Sequence, residues 1–215
     1  MNTPDDPHRG QPVLEAGAPL AEAAGVVIMV HGRGADAADI IGLASAVDRP
    51  KLAYLAPDAA GHVWYPRPFT APQATNQPYL GSALNLIGRI FADLAEGGIP
   101  AERVLLLGFS QGACLSLEYA ARNPRRYGGV AALSGGLIGD AIVPTSYPGS
   151  LAGTPVFLGC SDVDQFIPLG RVHESTAAMK HLGGDVTERI YRGGAHTIVQ
   201  DEIENVQRIL DRMVS

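Results

Sequence analysis

The stretch "RVLLLGFSQGACLSLEYAA", residues 103–121, decides how this chain is read. Residues 104–107 form an unbroken aliphatic run, as expected of a strand buried on both faces. Residues 111–123 read as a helix stopped by Pro124. Between them stands Ser110, with Gly108 and Gly112 two positions to either side. Glycine weakens strand and helix interiors alike, so two of them here need a local reason. A sharp strand-to-helix turn of the G-x-S-x-G type supplies it. Such a turn forces the serine into a strained backbone conformation and lifts its hydroxyl above the sheet. It also predicts that a side chain at 108 or 112 would strike neighbouring backbone. The following helix directs its first amides at the same spot, where negative charge is favoured.

Working outward, further apolar runs occur at 25–32, 51–58, 128–135 and 154–161, each followed by turn residues. Residues 185–193 alternate more and suit a strand near a sheet edge. Helical spacing links Leu84, Ile87, Ile90, Phe91 and Leu94, and again Ile203, Val206, Ile209, Leu210 and Met213. Val172, Met179 and Leu182 mark a weaker helix. Strands alternating with helices predict a doubly wound α/β sheet, with ligands bound at the strands' C-terminal edge. The 215 residues read as one domain, with residues 1–12 loosely ordered and His8 in a ragged N-terminus. No repeat or interdomain linker interrupts it.

The net charge of -6 offers no attraction to phosphate backbones, and nothing in the sequence suggests nucleic-acid binding. The N-terminal residues lack a secretion-signal pattern, and "GVVIMV" is too short to cross a bilayer. Cys114 and Cys160 read as two reduced, buried thiols. The expectation is a cytoplasmic protein with no stable membrane insertion. A homodimer stays open, with "LSGG" (133–136) and the loop after it as one candidate interface.

A serine hydroxyl is a weak nucleophile, so it needs a base, and the base needs an orienting carboxylate. Among six histidines, His196 lies in "RGGAHTI", after the last candidate strand and before the last helix. That position puts it on the predicted catalytic edge, and activity should then fall in acid as the imidazole takes up a proton. "CSDVDQFIP" offers Asp162 and Asp164 at another strand end. One should be the partner and the other a turn former; Asp164, leading into Pro168, is the choice. An oxyanion hole needs preorganised N–H donors, and the backbone amides of Gln111 and of Arg33, in "VHGRGAD", are the candidates. The Arg33 side chain is either solvated or meets an acidic part of the substrate. His31 is read as structural.

"HGRGAD", "GFSQGA", "SGG" (134–136), "DQFIP" (164–168) and "GGAHTI" (193–198), in this order, resemble the phospholipase/carboxylesterase family of α/β-hydrolases, which includes acyl-protein thioesterases. The resemblance implies an α/β-hydrolase fold with Ser110, Asp164 and His196 as nucleophile, acid and base, and with the oxyanion hole at Arg33 and Gln111. Thioesterase members carry leucine where Arg33 stands, and this chain has "QGA" for "QGGA". Those departures lean toward a small-molecule esterase. The expected activity is hydrolysis of short- to medium-chain carboxylic esters through an acyl-enzyme, with no metal or organic cofactor. Lysophospholipase or thioester hydrolysis is the alternative, and a non-catalytic binding protein a remote one. Only about 18 residues follow the strand after the nucleophile helix, too few for a cap domain. Trp64, Tyr65 and Phe69 are the first candidates for an apolar wall against the substrate; Leu137, Ile138 and Phe166 are weaker ones.

Overall fold

The structure, a computed structural model, describes residues 6–214. Its centre is a seven-stranded sheet. In chain order the elements are β1 (Val13–Gly17), β2 (Gly25–Val30), α1 (Ala37–Ile41), β3 (Leu52–Pro57), α2 (Tyr79–Glu96) and β4 (Val104–Phe109). They continue with α3 (Gln111–Arg122), β5 (Gly129–Leu133), β6 (Pro155–Ser161), α4 (Leu169–His181), β7 (Asp185–Tyr191) and α5 (Gln200–Val214). Spatially the strands run β1-β3-β2-β4-β5-β6-β7, with only β1 antiparallel to its neighbour.

The unbroken apolar runs follow from this topology. Along β2, Val26, Ile28 and Val30 face one core cluster, shared with α2, α3 and α4. Val27 and Met29 face the other, built with α1 and α5. A strand covered on both faces has no polar alternate position. The stripe on α5 buries Ile203, Val206, Ile209 and Leu210, each contributing about 1.5–3 kcal/mol of burial. The alternating strand, β7, lies at the edge as its pattern predicts.

Three features depart from the sequence reading. The edge strand β1 and the five-residue α1 were not expected. β1 is short and half exposed, and α1 is too short to show a helical period; a capping box between Asp36 and Asp39 starts it. The N-terminal segment, expected to be loose to residue 12, is anchored from residue 6 onward. His8 is 0% exposed. Its backbone amide donates to Ser82 Oγ at 2.8 Å, Nδ1 accepts from the Ala60 amide at 3.0 Å, and Nε2 donates to the Trp64 carbonyl at 2.9 Å. A histidine with both ring nitrogens satisfied is buried without an orphaned polar group. Residues 1–5 lie outside the described residues. Residues 133–139, which include "LSGG", are buried within the chain itself, and much of the loop that follows, residues 140–150, is exposed.

Candidate active site

At the end of β4 the chain enters α3 through Ser110, whose φ of 54° and ψ of -118° lie where a non-glycine residue is strained. The flanking glycines make the turn sterically feasible. A β-carbon at Gly108 would press into the backbone of Gly112, and one at Gly112 into the carbonyls of Val30 and His31. The predicted collision is therefore present at both positions. Ser110 sits beside the point where the chain switches from building the sheet toward β3 to building it toward β5, and loops part there to leave a crevice.

Three side chains from separate strand ends meet at this rim. Ser110 Oγ and His196 Nε2 are 2.8 Å apart, and His196 Nδ1 lies 2.6 Å from Asp164 Oδ2. With the acid at Nδ1 the natural tautomer carries its proton there, leaving Nε2 free to accept from the serine. The other oxygen of Asp164 accepts from the amides of Phe166 and Ile167, at 2.8 and 3.0 Å. Burial raises the Asp164 carboxyl, but the hydrogen bonds from His196 and these two amides outweigh it and hold it below its usual range. Asp162 instead accepts from the Gly193 amide at 2.8 Å, fastening the turn before His196. The same loop is fastened by Ser161, whose hydroxyl donates to the Gly194 carbonyl, and by Glu202, which accepts from the Val199 amide. The His196 ring packs between Phe109 and Phe166, each with its centroid 5.0 Å away.

The amides of Arg33 and Gln111 find no acceptor among the described residues. Both residues border a cavity of about 160 Å³ that opens at Ser110. Tyr65, Phe69 and Phe166 line it as expected, joined by Ile167 and Cys114. Trp64, Leu137 and Ile138 do not. Trp64 is 0% exposed: its indole donates to the His31 carbonyl at 2.9 Å, and its own amide donates to Gln111 Oε1 at 2.9 Å. Leu137 and Ile138 are held inside by hydrogen bonds from their amides to Ser175 and Glu118. Burial pushes the Cys114 thiol up to about 12, so it is an uncharged part of the wall and no rival nucleophile.

The sequence reading assigned only the backbone of Gln111. Its side chain is equally involved, since Nε2 donates to the Tyr65 carbonyl at 2.8 Å while Oε1 holds Trp64. The residue after Ser110 thereby ties the Trp64–Tyr65 segment to the start of α3. Arg33 grips the same carbonyl, Nη2 donating to Tyr65 O at 2.7 Å. Neither contact leaves a mark in the sequence, because the partners are 32 and 46 residues away. His31 is structural as read, with Nε2 accepting from the Ala59 amide and Nδ1 donating to the Gly32 carbonyl. Both cysteines are free and buried. No helix among the described residues is long and apolar enough to cross a membrane.

Proteins similar to this chain include ones named as a phospholipase/carboxylesterase, an esterase and an acyl-protein thioesterase. A phospholipase/carboxylesterase from Dyadobacter fermentans superposes with a TM-score of 0.90 at 43% identity, covering 94% of this chain and 97% of that one. Esterase PE8 superposes with a TM-score of 0.76 at 26% identity, covering 94% and 98%. Acyl-protein thioesterase 1 of Saccharomyces cerevisiae is 31% identical over 140 residues, 62% of this chain and 60% of the relative, so less than two thirds of that protein is matched. The family model described as Phospholipase/Carboxylesterase matches residues 13–214, nearly the whole described fold. With that match and a seven-stranded sheet turning at Ser110, the chain belongs to the phospholipase/carboxylesterase family of α/β-hydrolases.

Proposed function

We propose that this protein is a serine carboxylesterase acting on small esters with short acyl chains, through an acyl-enzyme. The observation that carries the reading is the continuous hydrogen-bonded chain from Ser110 through His196 to Asp164. In the first half-reaction Ser110 Oγ attacks the ester carbonyl carbon while His196 Nε2 takes the hydroxyl proton. The carbonyl oxygen becomes an oxyanion facing the amides of Arg33 and Gln111. Collapse breaks the bond to the alcohol oxygen, which leaves with the proton held on His196. A water then repeats the sequence on the acyl-serine and releases the acid. Asp164, kept ionised, orients the ring and stabilises its transient positive charge.

The size of the cavity supports the short-chain preference. About 160 Å³ is well below the roughly 300–1,000 Å³ of typical small-molecule pockets. Its walls are fixed by hydrogen bonds from Arg33 and Gln111 rather than left free to spread. A series of p-nitrophenyl esters from two to twelve carbons tests this: kcat/KM should peak at four carbons or fewer and decline by eight. A maximum at ten or more would contradict it. Presteady-state release of one equivalent of p-nitrophenol would support the acyl-enzyme.

Thioester hydrolysis is the second reading, supported by the relatives named acyl-protein thioesterase. Matched ester and thioester substrates separate the two. The two free thiols also suit a reducing compartment, and we place the protein in the cytoplasm on that ground.

A further inference from the structure

Arg33 borders the cavity, and its exposed side chain is tethered there by two backbone carbonyls. Its Nη2 donates to the carbonyls of Tyr65, at 2.7 Å, and Arg67, at 3.3 Å. Because Tyr65 O also accepts from Gln111, the guanidinium and the side chain next to the nucleophile share one acceptor. Arg33 and Ser110 border the same cavity. Guanidinium offers five N–H donors in a planar fork, and the three on Nε and Nη1 meet no acceptor among the described residues. No carboxylate pairs with Arg33 among the described residues, although Arg49, Arg89, Arg122, Arg171, Arg208 and Arg212 each have one. The nearest acids in sequence are otherwise engaged: Asp36 and Asp39 cap α1 through each other's amides. Asp164 faces His196. What sets Arg33 apart from other arginines with no carboxylate among the described residues, such as Arg103 and Arg126, is its place on the rim of the cavity that opens at Ser110.

We propose that Arg33 is a specificity residue that selects esters bearing a negatively charged group, such as a carboxylate, on either the acyl or the alcohol half. The inference rests on the esterase reading and narrows its substrate class. Binding an anion requires no rearrangement: the side chain is already held by two carbonyls, so little conformational entropy is lost on forming a two-pronged contact. The scissile carbonyl would sit at Ser110 with its short, uncharged portion against Phe69 and Ile167. The anion would lie toward the mouth.

Two matched pairs test this, each measured on the wild type and on Arg33→Gln. For an acyl-side anion the pair is p-nitrophenyl hemisuccinate and p-nitrophenyl pentanoate. For an alcohol-side anion it is 4-acetoxybenzoate and its methyl ester. The readout is the ratio of kcat/KM within a pair, and comparing this ratio between the two proteins cancels the esters' intrinsic reactivities. The ratio should fall about 10- to 100-fold in Arg33→Gln for one pair, with the affected pair naming the half that carries the charge, and Arg33→Lys should restore part of it. The wild-type ratio should also drop as salt rises from 0.05 to 0.5 M (about those concentrations). Ratios equal in wild type and variant for both pairs would overturn the proposal. If a fluorophosphonate still labels Ser110 in that case, only the anion preference falls. If the wild type neither labels nor hydrolyses the neutral esters, the esterase reading falls and this one with it.

Discussion

Gly112 turns its α-carbon onto the carbonyl oxygen of Val30, leaving no room for a β-carbon. The contact ties the start of α3 to the end of β2, and so fixes where the serine stands relative to the loop that carries Arg33. Gly112→Ala should force the turn away from β2, at a cost of about 1–3 kcal/mol, with loss of most ester hydrolysis. Gly170 in α4 has nothing within 4 Å of a built β-carbon, so Gly170→Ala should be neutral or stabilising by up to about 1 kcal/mol. Urea denaturation of the two variants checks the contrast; equal stability would refute the steric account.

Asp162 and Asp164 lie two residues apart and do different things. Asp164→Asn should leave the fold intact and lower kcat by about 10³- to 10⁴-fold, because the amide cannot hold the imidazole in the tautomer that accepts from serine. Asp162→Asn keeps an oxygen for the Gly193 amide and should cost less than about tenfold. Steady-state kinetics on a p-nitrophenyl ester decide the matter, and a reversed order would reassign the acid.

Trp64, the chain's single tryptophan, is packed between two buried imidazoles, with centroids 5.5 Å from His8 and 4.8 Å from His31. Each histidine accepts an amide hydrogen bond, from Ala60 or Ala59, through a nitrogen that must be unprotonated. Burial holds both below the usual 6.5. The unfolded chain therefore binds more protons than the folded one below about pH 6.5, and stability is lost as pH falls from there. Trp64 emission should shift to the red in acid, and His8→Gln should move that transition to lower pH. An acid transition unchanged in both His8→Gln and His31→Gln would contradict this.

Glu202 works in the opposite sense. Its carboxyl is buried against β6 at Gly159, with Oε2 accepting from the Val199 amide and Oε1 meeting no partner among the described residues. Burial, aided by the nearby charges of Asp201 and Asp164, pushes it up to about 7 from 4.5. The folded protein then holds a proton that the unfolded chain releases between about pH 4.5 and 7, so this group's contribution falls as pH rises through that window. The full difference is on the order of 3 kcal/mol. Glu202→Gln should remove it, gaining stability relative to the wild type between pH 5 and pH 8 in urea titrations. Parallel profiles would show that Glu202 does not titrate there.

What could be read in advance, and what could not, follows from the range of the interactions. Ser110 and Asp164 each announce themselves locally, as a polar side chain in the turn after an apolar run, and His196 as one in a glycine-containing turn between the last strand and the last helix. Trp64 and Tyr65 show why the substrate wall was harder. They are neighbours of similar chemistry, yet one is an internal strut and the other lines the cavity; what separates them is the seat that His8 and His31, far off in sequence, make for the indole. His8 gives the same lesson. Aspartate and proline around it suggest a tail, while its partners at Ala60, Trp64 and Ser82 are visible only once the chain has folded. β1 hides because an edge strand needs no continuous apolar run.

The most direct check is the intact mass of the protein after treatment with a fluorophosphonate at neutral pH. A single adduct should form on the wild type and map by peptide sequencing to Ser110. His196→Ala should slow its formation by at least about 10³-fold, and Ser110→Ala should form none. An adduct that persists on Ser110→Ala, or labelling of the wild type at the same rate as His196→Ala, would mean that the hydroxyl and imidazole 2.8 Å apart do not act as one unit.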